Sequence, residues 1–281
     1  MSLPVDEILV LEELDNNLFR SRHHYENFRK TLFGGQVLGQ ALMAAYETQK
    51  DALPNSLHGY FLRAGSSDTP VIYDVENLRD GRSFSCRRVI ARQSGRPIFN
   101  MAASFHKHEA GYEHQLAYPE GIPLPDEIKS SNAHIKMADK TFDEAKTVTP
   151  FEFLPVGESL FSQEVIDPPV GYFWIKAKDT LPDDPISHFC SLAFASDIGL
   201  LATALLPHDA TIFDNNLVVA SVDHAMWFHR QDFRADEWLL CRTFSPWAGN
   251  ARGFAQAHIF NLDKQLVATT SQEGLMRKVE A

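Results

Sequence analysis

The sequence predicts an α+β protein built from two helix-wrapped, curved antiparallel sheets joined edge to edge. Three observations predict it. Two long apolar stretches have helical character, one opening at Gly34-Gly35 and one running from His188 to His208. Each leads into a strand and then a meander of strands divided by short turn signals. The two series also resemble each other at an offset of about 168 residues, which is a domain-sized duplication and not a solenoid period. A single copy would leave its sheet edge and both ends of its helix uncovered, so the copies are expected to pair along that edge.

Taken in order, the segment from Ile8 to Phe19 reads as a first strand or short amphipathic segment that ends near Asn16-Asn17. The glycine-opened helix follows over residues 34–48, with Val37, Leu38, Ala41, Leu42 and Ala45 at the i, i+3/i+4 spacing of one apolar face. Pro54-Asn55 predicts a turn, and Leu57 to Arg63 a strand. Val71, Tyr73 and Val75 alternate with Asp74 and Glu76 as a half-buried strand does. Asp80-Gly81 signals a hairpin, Phe84 to Gln93 a strand, Ser94-Gly95 a turn and Pro97 to His106 another strand. The chain then becomes polar, with Pro119, Pro123 and Pro125 and a charged stretch from Asp126 to Lys146 suited to surface helices. This is read as a linker over the surface. The second half opens with strands near Phe151–Leu154 and Tyr172–Ala177 and a Pro-rich run from Leu181 to Pro185. After the apolar helix, Leu217 to Arg230 reads as a strand pair or one long strand, and Trp238 to Phe244 as another. Gly249-Asn250 turns the chain, and Ala251–Phe260 and Gln265–Gly274 close it as a hairpin. The expected divisions are 1–108 for the first half, 109–148 for the linker and 149–281 for the second half.

Composition narrows the function. With 26 basic and 37 acidic residues the net charge is −11, which disfavours general binding to nucleic acid or to an anionic membrane. Cys86, Cys190 and Cys241 have no metal spacing and read as reduced core thiols. In the HEAGYEH segment, His108, Glu109 and His114 lack the four-residue His spacing of a zinc helix, so no metal is expected. The acidic N-terminus lacks a signal-peptide pattern, and the RKVEA ending is no peroxisomal address. Asp197 interrupts the longest apolar run before it reaches the roughly 18 residues of a membrane span. A cytoplasmic protein is the expectation.

Asp197 is the anomaly within the apolar stretch HFCSLAFASDIGLLATALLPH. Burying a polar group without a partner costs about 2–7 kcal/mol, and an ion costs more. A carboxylate retained there is either paired or performs chemistry. The corresponding stretch of the first half, Gln36 to Ala45, has no acid but follows a glycine pair. The repeat sets Ser104 opposite Gln272, Phe84 opposite Phe254 and Arg82 near Arg252. There is no GxSxG elbow, and the Gly35-x-x-x-Gly39 spacing lacks the GK[ST] of a phosphate loop.

The motifs FGGQVLGQAL, SLHGYFLR, YDVENLRDG, PIFNMAASF, ASDIGL, SVDHAMWFHR, EWLL, ARGF and SQEGLMR run in this order between about Leu18 and Arg277. Together they resemble the acyl-CoA thioesterase II family, and the linker is the poorly matched part. The resemblance implies a double-hotdog fold and hydrolysis of fatty acyl-CoA to free acid and coenzyme A, without a cofactor. It implies homodimers or homotetramers. It also implies a catalytic set of an Asp on the second helix, a Thr or Ser on the following strand and a Gln on the last strand. Those motifs fall on Asp197, Ser221 and Gln272, with the hydroxyl supplied by serine.

A thioester is reactive enough to be cleaved by an oriented water, given a base and a place for the developing oxyanion. Asp197 is the expected base, with its pKa raised by its apolar surroundings. Ser221 and Gln272 are expected to fix the water. By analogy with single-domain hotdog thioesterases, the N–H groups of Gly35 and Gln36 are expected to bind the substrate's carbonyl, since a helix start presents free N–H groups. His58 is a further candidate near the site. His224 beside Asp223 suggests a base pair, but neighbours on a strand face opposite sides. Arg63, Arg82, Arg230 and Arg252 are candidates for the coenzyme A phosphates. The rival readings are a hotdog acyl-CoA hydratase, which needs an Asp–His pair absent after Asp197, and a non-catalytic acyl-CoA-binding protein.

Overall fold

The computed structural model describes residues 3–25, 31–130, 149–157, 160–161 and 164–279. A short helix α1 (Val5–Leu9) precedes a hairpin of β1 (Leu11–Asp15) and β2 (Leu18–Ser21). The turn between them carries Asn17 at φ 60°, a left-handed conformation that asparagine tolerates. The expected single segment from Ile8 to Phe19 is therefore a helix end plus a hairpin. α2 (Gly34–Glu47) follows, then β3 (Leu53–Phe61), β4 (Ile72–Asp80), β5 (Phe84–Gln93) and β6 (Arg96–His106). Pro54 and Asn55 do not turn the chain. They sit inside β3, where the register against β6 slips between Pro54 and Ser56, a bulge that accommodates a residue lacking an N–H.

In the second half come β7 (Phe151–Val156), β8 (Val170–Ala177), α4 (Pro185–Ser196), a 3₁₀ turn (Leu201–Leu205), β9 (Leu217–Ser221), β10 (Asp223–Phe228), β11 (Leu239–Gly249), β12 (Arg252–Phe260) and β13 (Leu266–Lys278). The apolar stretch is thus not one helix. α4 ends at Ser196, Asp197 takes the C-cap position, and Gly199 at φ 78° turns the chain into the 3₁₀ segment. Pro185 to Leu205 is long and apolar enough to match a membrane span, contrary to the expectation that Asp197 would exclude it. Yet 83% of that window is buried inside the protein, as befits a core element.

Among the described residues all thirteen strands belong to one antiparallel sheet. Its order is β1-β2-β4-β5-β6-β3-β10-β13-β12-β11-β8-β7, with β9 paired to β13. Read outward from the centre, β3-β6-β5-β4-β2-β1 mirrors β10-β13-β12-β11-β8-β7. The joint is the antiparallel pair β3–β10, in which Leu57 faces Met226 and His58 faces Ala225. A shift of about 168 residues sends Leu57 onto Ala225 and His58 onto Met226, so the duplication maps this joint onto itself.

The sheet curves around α2 and α4, which share one core with its inner face. The helices run antiparallel and touch through glycines. A Cβ on Gly35 would lie 2.3 Å from the Phe194 carbonyl oxygen, and one on Gly39 2.8 Å from that of Cys190. The linker lies elsewhere. Tyr118, Ile122 and Ile128 of α3 (Pro125–Ser130) and the segment before it cover Trp174, Leu240 and Phe260 of the second half. The Trp174 indole donates to the Pro123 carbonyl at 3.0 Å. The remainder of the charged stretch, residues 131–148, lies outside the described residues.

Because the helix contact is backbone to backbone, it has no side chain to yield. Gly39→Ala is expected to destabilise the protein by about 1–3 kcal/mol through overpacking against the Cys190 carbonyl and Leu9. Urea unfolding checks this, and unchanged stability would mean that the helices can part at little cost.

Candidate active site

The end of α4, the start of α2 and the strands β9 and β13 converge at Asp197. Its Oδ1 accepts from Gln272 Nε2 at 2.5 Å and from Ser221 Oγ at 3.3 Å, and Gln272 Nε2 also reaches Ser221 Oγ at 2.9 Å. A carboxylate only accepts, so the network fixes the amide with its nitrogen towards Asp197. The Gln272 Oε1 then stands buried with no partner among the described residues. The backbone N–H of Gly35 also donates to the carboxylate. A Cβ on Gly34 would sit 2.7 Å from Asp197 Oδ2, so the glycine pair lets the helix start approach the acid.

Ser221 reaches the site because the strand is broken. On β9, Leu217, Val219 and Ser221 face inward, whereas on β10 the buried positions are His224, Met226 and Phe228. Strict alternation cannot place both Ser221 and His224 inside. The register against β13 shifts by one residue between Ser221–Gly274 and Ala225–Ser271, a bulge at Val222-Asp223 that switches the phase. Asp223 and His224 do face opposite ways. Asp223 Oδ1 accepts from the Glu273 N–H at 2.8 Å, while His224 is fully buried.

The other expected site residues are placed differently. Gly35 lies in the first turn of α2, with its N–H near the Asp197 carboxylate. The role expected of Gln36 belongs to its backbone N–H, in the first turn of α2; its side chain is buried, accepting from the Tyr25 N–H at 2.7 Å and donating to the His23 carbonyl at 3.1 Å. His58 is exposed on the outer face of β3, edge-on to Trp227 at 5.0 Å, and does not reach the site. Alternation along β3 puts it opposite the buried Leu57 and Gly59. Sequence reasoning weighed His224 only against Asp223 and did not find the hydrogen-bonded cluster that it forms with Ser196 and Thr270 directly behind Asp197 and Gln272. The only available signal was the apolar surroundings of His224.

A cavity of about 420 Å³ opens at Asp197, Ser221 and Gln272. Its walls come from both halves: Phe33, Val37, Phe61 and Phe99 from the first, Leu201 and Val219 from the second. Arg63 is at its edge, with Nη1 on the Pro97 carbonyl at 2.7 Å. Arg82, Arg230 and Arg252 do not line it. Arg230 pairs with Asp232 and Arg252 with Glu273. No group of metal-ligating side chains occurs among the described residues.

Asp197 is half-buried, exposing one side to the cavity and meeting protein on the others. Burial raises its pKa to about 6, and the hydrogen bonds from Gln272, Gly35 and Ser221 pull in the opposite direction. Desolvation wins because no cation faces the carboxylate.

Known proteins share this arrangement of chain. A family described as acyl-CoA thioesterase matches residues 167–275, and one described as the acyl-CoA thioesterase N-terminal domain matches residues 22–106. The chain is 40% identical to acyl-coenzyme A thioesterase 8 of Homo sapiens, over 98% of this chain and 89% of that protein. It is similar to the crystal structure of an acyl-CoA thioesterase II, TesB2, from Mycobacterium marinum, with a TM-score of 0.80 at 40% identity over 98% of both chains. A conserved protein of Alicyclobacillus acidocaldarius with a hot dog fold gives a TM-score of 0.81 at 16% identity over the whole of both chains, which speaks to the fold alone.

A raised carboxylate pKa sets a sign for stability. Below about pH 4 the acid is protonated in both folded and unfolded chains, so burial adds no penalty. Between about pH 4 and 6 only the unfolded chain ionises, and above pH 6 the penalty reaches up to about 3 kcal/mol. Asp197→Asn is therefore expected to be more stable than the parent at pH 8 and level with it at pH 4. Unfolding curves at the two pH values decide this, and a difference independent of pH would mean that burial of charge is not the cause.

Proposed function

The chain belongs to the acyl-CoA thioesterase II family and is a thioester hydrolase, and from that premise we propose that it converts fatty acyl-CoA to free fatty acid and coenzyme A by direct attack of a water held by Asp197, Ser221 and Gln272. The observation that carries this reading is the half-buried carboxylate with three donors on it, set at the head of an apolar cavity. On this reading the fold is a double hotdog, divided at the β3–β10 joint, with one composite site per chain. The water donates one proton to Asp197 and points its lone pair at the thioester carbon. Gln272 Oε1, buried and without a partner, is the second acceptor that fixes its direction. As the C–O bond forms, Asp197 takes the proton. As the C–S bond breaks, the proton passes to the departing sulfur of coenzyme A, and the carboxylate is restored. The positive end of α2 faces the same space and favours the negative charge that develops on the carbonyl oxygen.

The aromatic and aliphatic cavity wall suits an acyl chain, and Arg63 at the edge suits the phosphates of coenzyme A. A homo-oligomer is the assembly we infer, supported by the exposed Tyr60, Leu62 and Trp227 around the central strand pair.

Release of free thiol from acyl-CoA tests the reading. Asp197→Ala is expected to lower kcat by about 10³-fold or more, and Gln272→Ala by about 10²-fold, with the fold retained. Ser221→Thr, which keeps the oxygen, should stay within about tenfold of the parent, whereas Ser221→Ala should not. Full turnover by Asp197→Ala would remove the base from the scheme. The rate should also fall as pH drops through about 6, where Asp197 becomes protonated. A profile flat from pH 5 to 8 would contradict this.

A further inference from the structure

His224 has no part in the scheme above, yet it is fully buried one step behind both Asp197 and Gln272. Its Nε2 lies 2.9 Å from Ser196 Oγ and 2.8 Å from Thr270 Oγ1. Ser196 is the last residue of α4 and immediately precedes Asp197. Thr270 precedes Gln272 by two positions on the same inward face of β13. Each hydroxyl has a single proton, and each spends it on a backbone carbonyl: Ser196 on Ala193 at 2.8 Å, Thr270 on Ala225 at 2.9 Å. Both hydroxyl oxygens are therefore acceptors towards the ring, and Nε2 must carry the proton. Nδ1 is then a bare lone pair, and it has no partner among the described residues. An imidazolium would bury an unpaired N–H there instead. Burial without any facing carboxylate lowers the His224 pKa to about 3, in keeping with a ring that stays neutral while the enzyme works.

We infer that His224 is a positioning residue: its neutral Nε2–H bridges Ser196 and Thr270, ties the end of α4 to β13, and so holds Asp197 and Gln272 at hydrogen-bond distance. The inference rests on the reading that these two residues hold the attacking water. Among the described residues, the helix end and the strand are otherwise tied by polar contacts only through the Asp197–Gln272 bond itself and the Ser221 hydroxyl that touches both. Without the clamp, the amide and the carboxylate drift apart. The groups facing Asp197 are Gln272 from β13, Ser221 from β9 and the Gly35 N–H from α2, none of them charged. Loosening the Gln272 bond therefore removes the largest influence that lowers the Asp197 pKa, and the acid limb of the rate profile must move to higher pH.

The experiment compares His224→Leu, His224→Gln, Thr270→Val and Asp197→Ala in the full chain, measuring kcat, KM and the pH profile of thiol release from one acyl-CoA. His224→Leu leaves both hydroxyls bonded to their carbonyls, so the fold is expected to survive. Its kcat should fall by about 10–100-fold with KM changed less than about threefold, and its acid limb should rise by about half a pH unit or more. Glutamine offers an amide N–H near the place of Nε2 and cannot titrate, so His224→Gln should recover kcat to within about fivefold of the parent. Thr270→Val removes one arm of the bridge and should shift kcat and the acid limb in the same directions by less. A normal kcat and profile in His224→Leu overturns the inference, as does a rise in KM alone. A His224→Gln variant as slow as His224→Leu also overturns it, because the ring itself would then take part in proton transfer. Should His224→Leu fail to fold, a normal kcat and profile in Thr270→Val overturns the inference in its place. Full activity of Asp197→Ala sinks the reading of the site, whereas an inactive Asp197→Ala beside normal His224 variants sinks only the clamp.

Discussion

The direct contact between α2 and α4 is the constraint on which the rest depends. At Gly35 and Gly39 the two helices meet at backbone distance, leaving no room for a side chain. That approach brings the N-terminus of α2, from one half, against the C-cap of α4, from the other. Free N–H groups and a positive dipole end thereby face a carboxylate that would otherwise have only neutral side-chain donors. The curved sheet follows from the same contact, since one layer of strands must wrap two helices that touch. The joint β3–β10 closes the arrangement by giving each half's exposed edge to the other.

The duplication is symmetric in its scaffold and asymmetric in its chemistry. The offset that maps β13 onto β6 sets Ser104 where Gln272 stands, and sets Leu53 where Ser221 stands. The helices differ in the same sense. α2 ends in Glu47, one residue before its C-cap, at the helix end that answers to the Asp197 end of α4. There the acid is partly exposed and pairs with Lys50 at 2.6 Å, so it is solvated and neutralised. The start of α4, which would have to face it, begins with Asp184 and Pro185 in place of a glycine pair. One interface between the halves keeps an acid in an apolar setting, and the other has lost each component of that setting.

The cost of the site is borne by the core around it. A carboxylate with a pKa near 6 opposes folding at neutral pH, and the 2.5 Å bond from Gln272 offsets only part of that penalty. Behind it, the His224 cluster is satisfied except for one lone pair, the cheaper kind of orphan because no proton is stranded. Such a cluster gives the acid and the amide a rigid backing within a mostly aliphatic and aromatic core.

Much of this was legible in the chain itself. Turn residues with fixed conformational demands, such as Ser94-Gly95 at φ 48° and 75°, set the hairpins. Period-2 patterning marked β4, and a carboxylate in an apolar run marked Asp197. These features depend on local backbone preference or on the energy of one group in its own segment, so a sequence can display them. What the tertiary structure alone decided was phase and direction. The bulge at Val222-Asp223, which turns both Ser221 and His224 inward, arises from pairing with β13 and leaves no local signature. The break of the apolar helix at Asp197, the aim of the Gly35 N–H at that acid and the outward stance of His58 likewise depend on which surface packs against which. Pairing across more than a hundred residues chooses among local states of nearly equal energy, and that choice is made by the assembled sheet and helices.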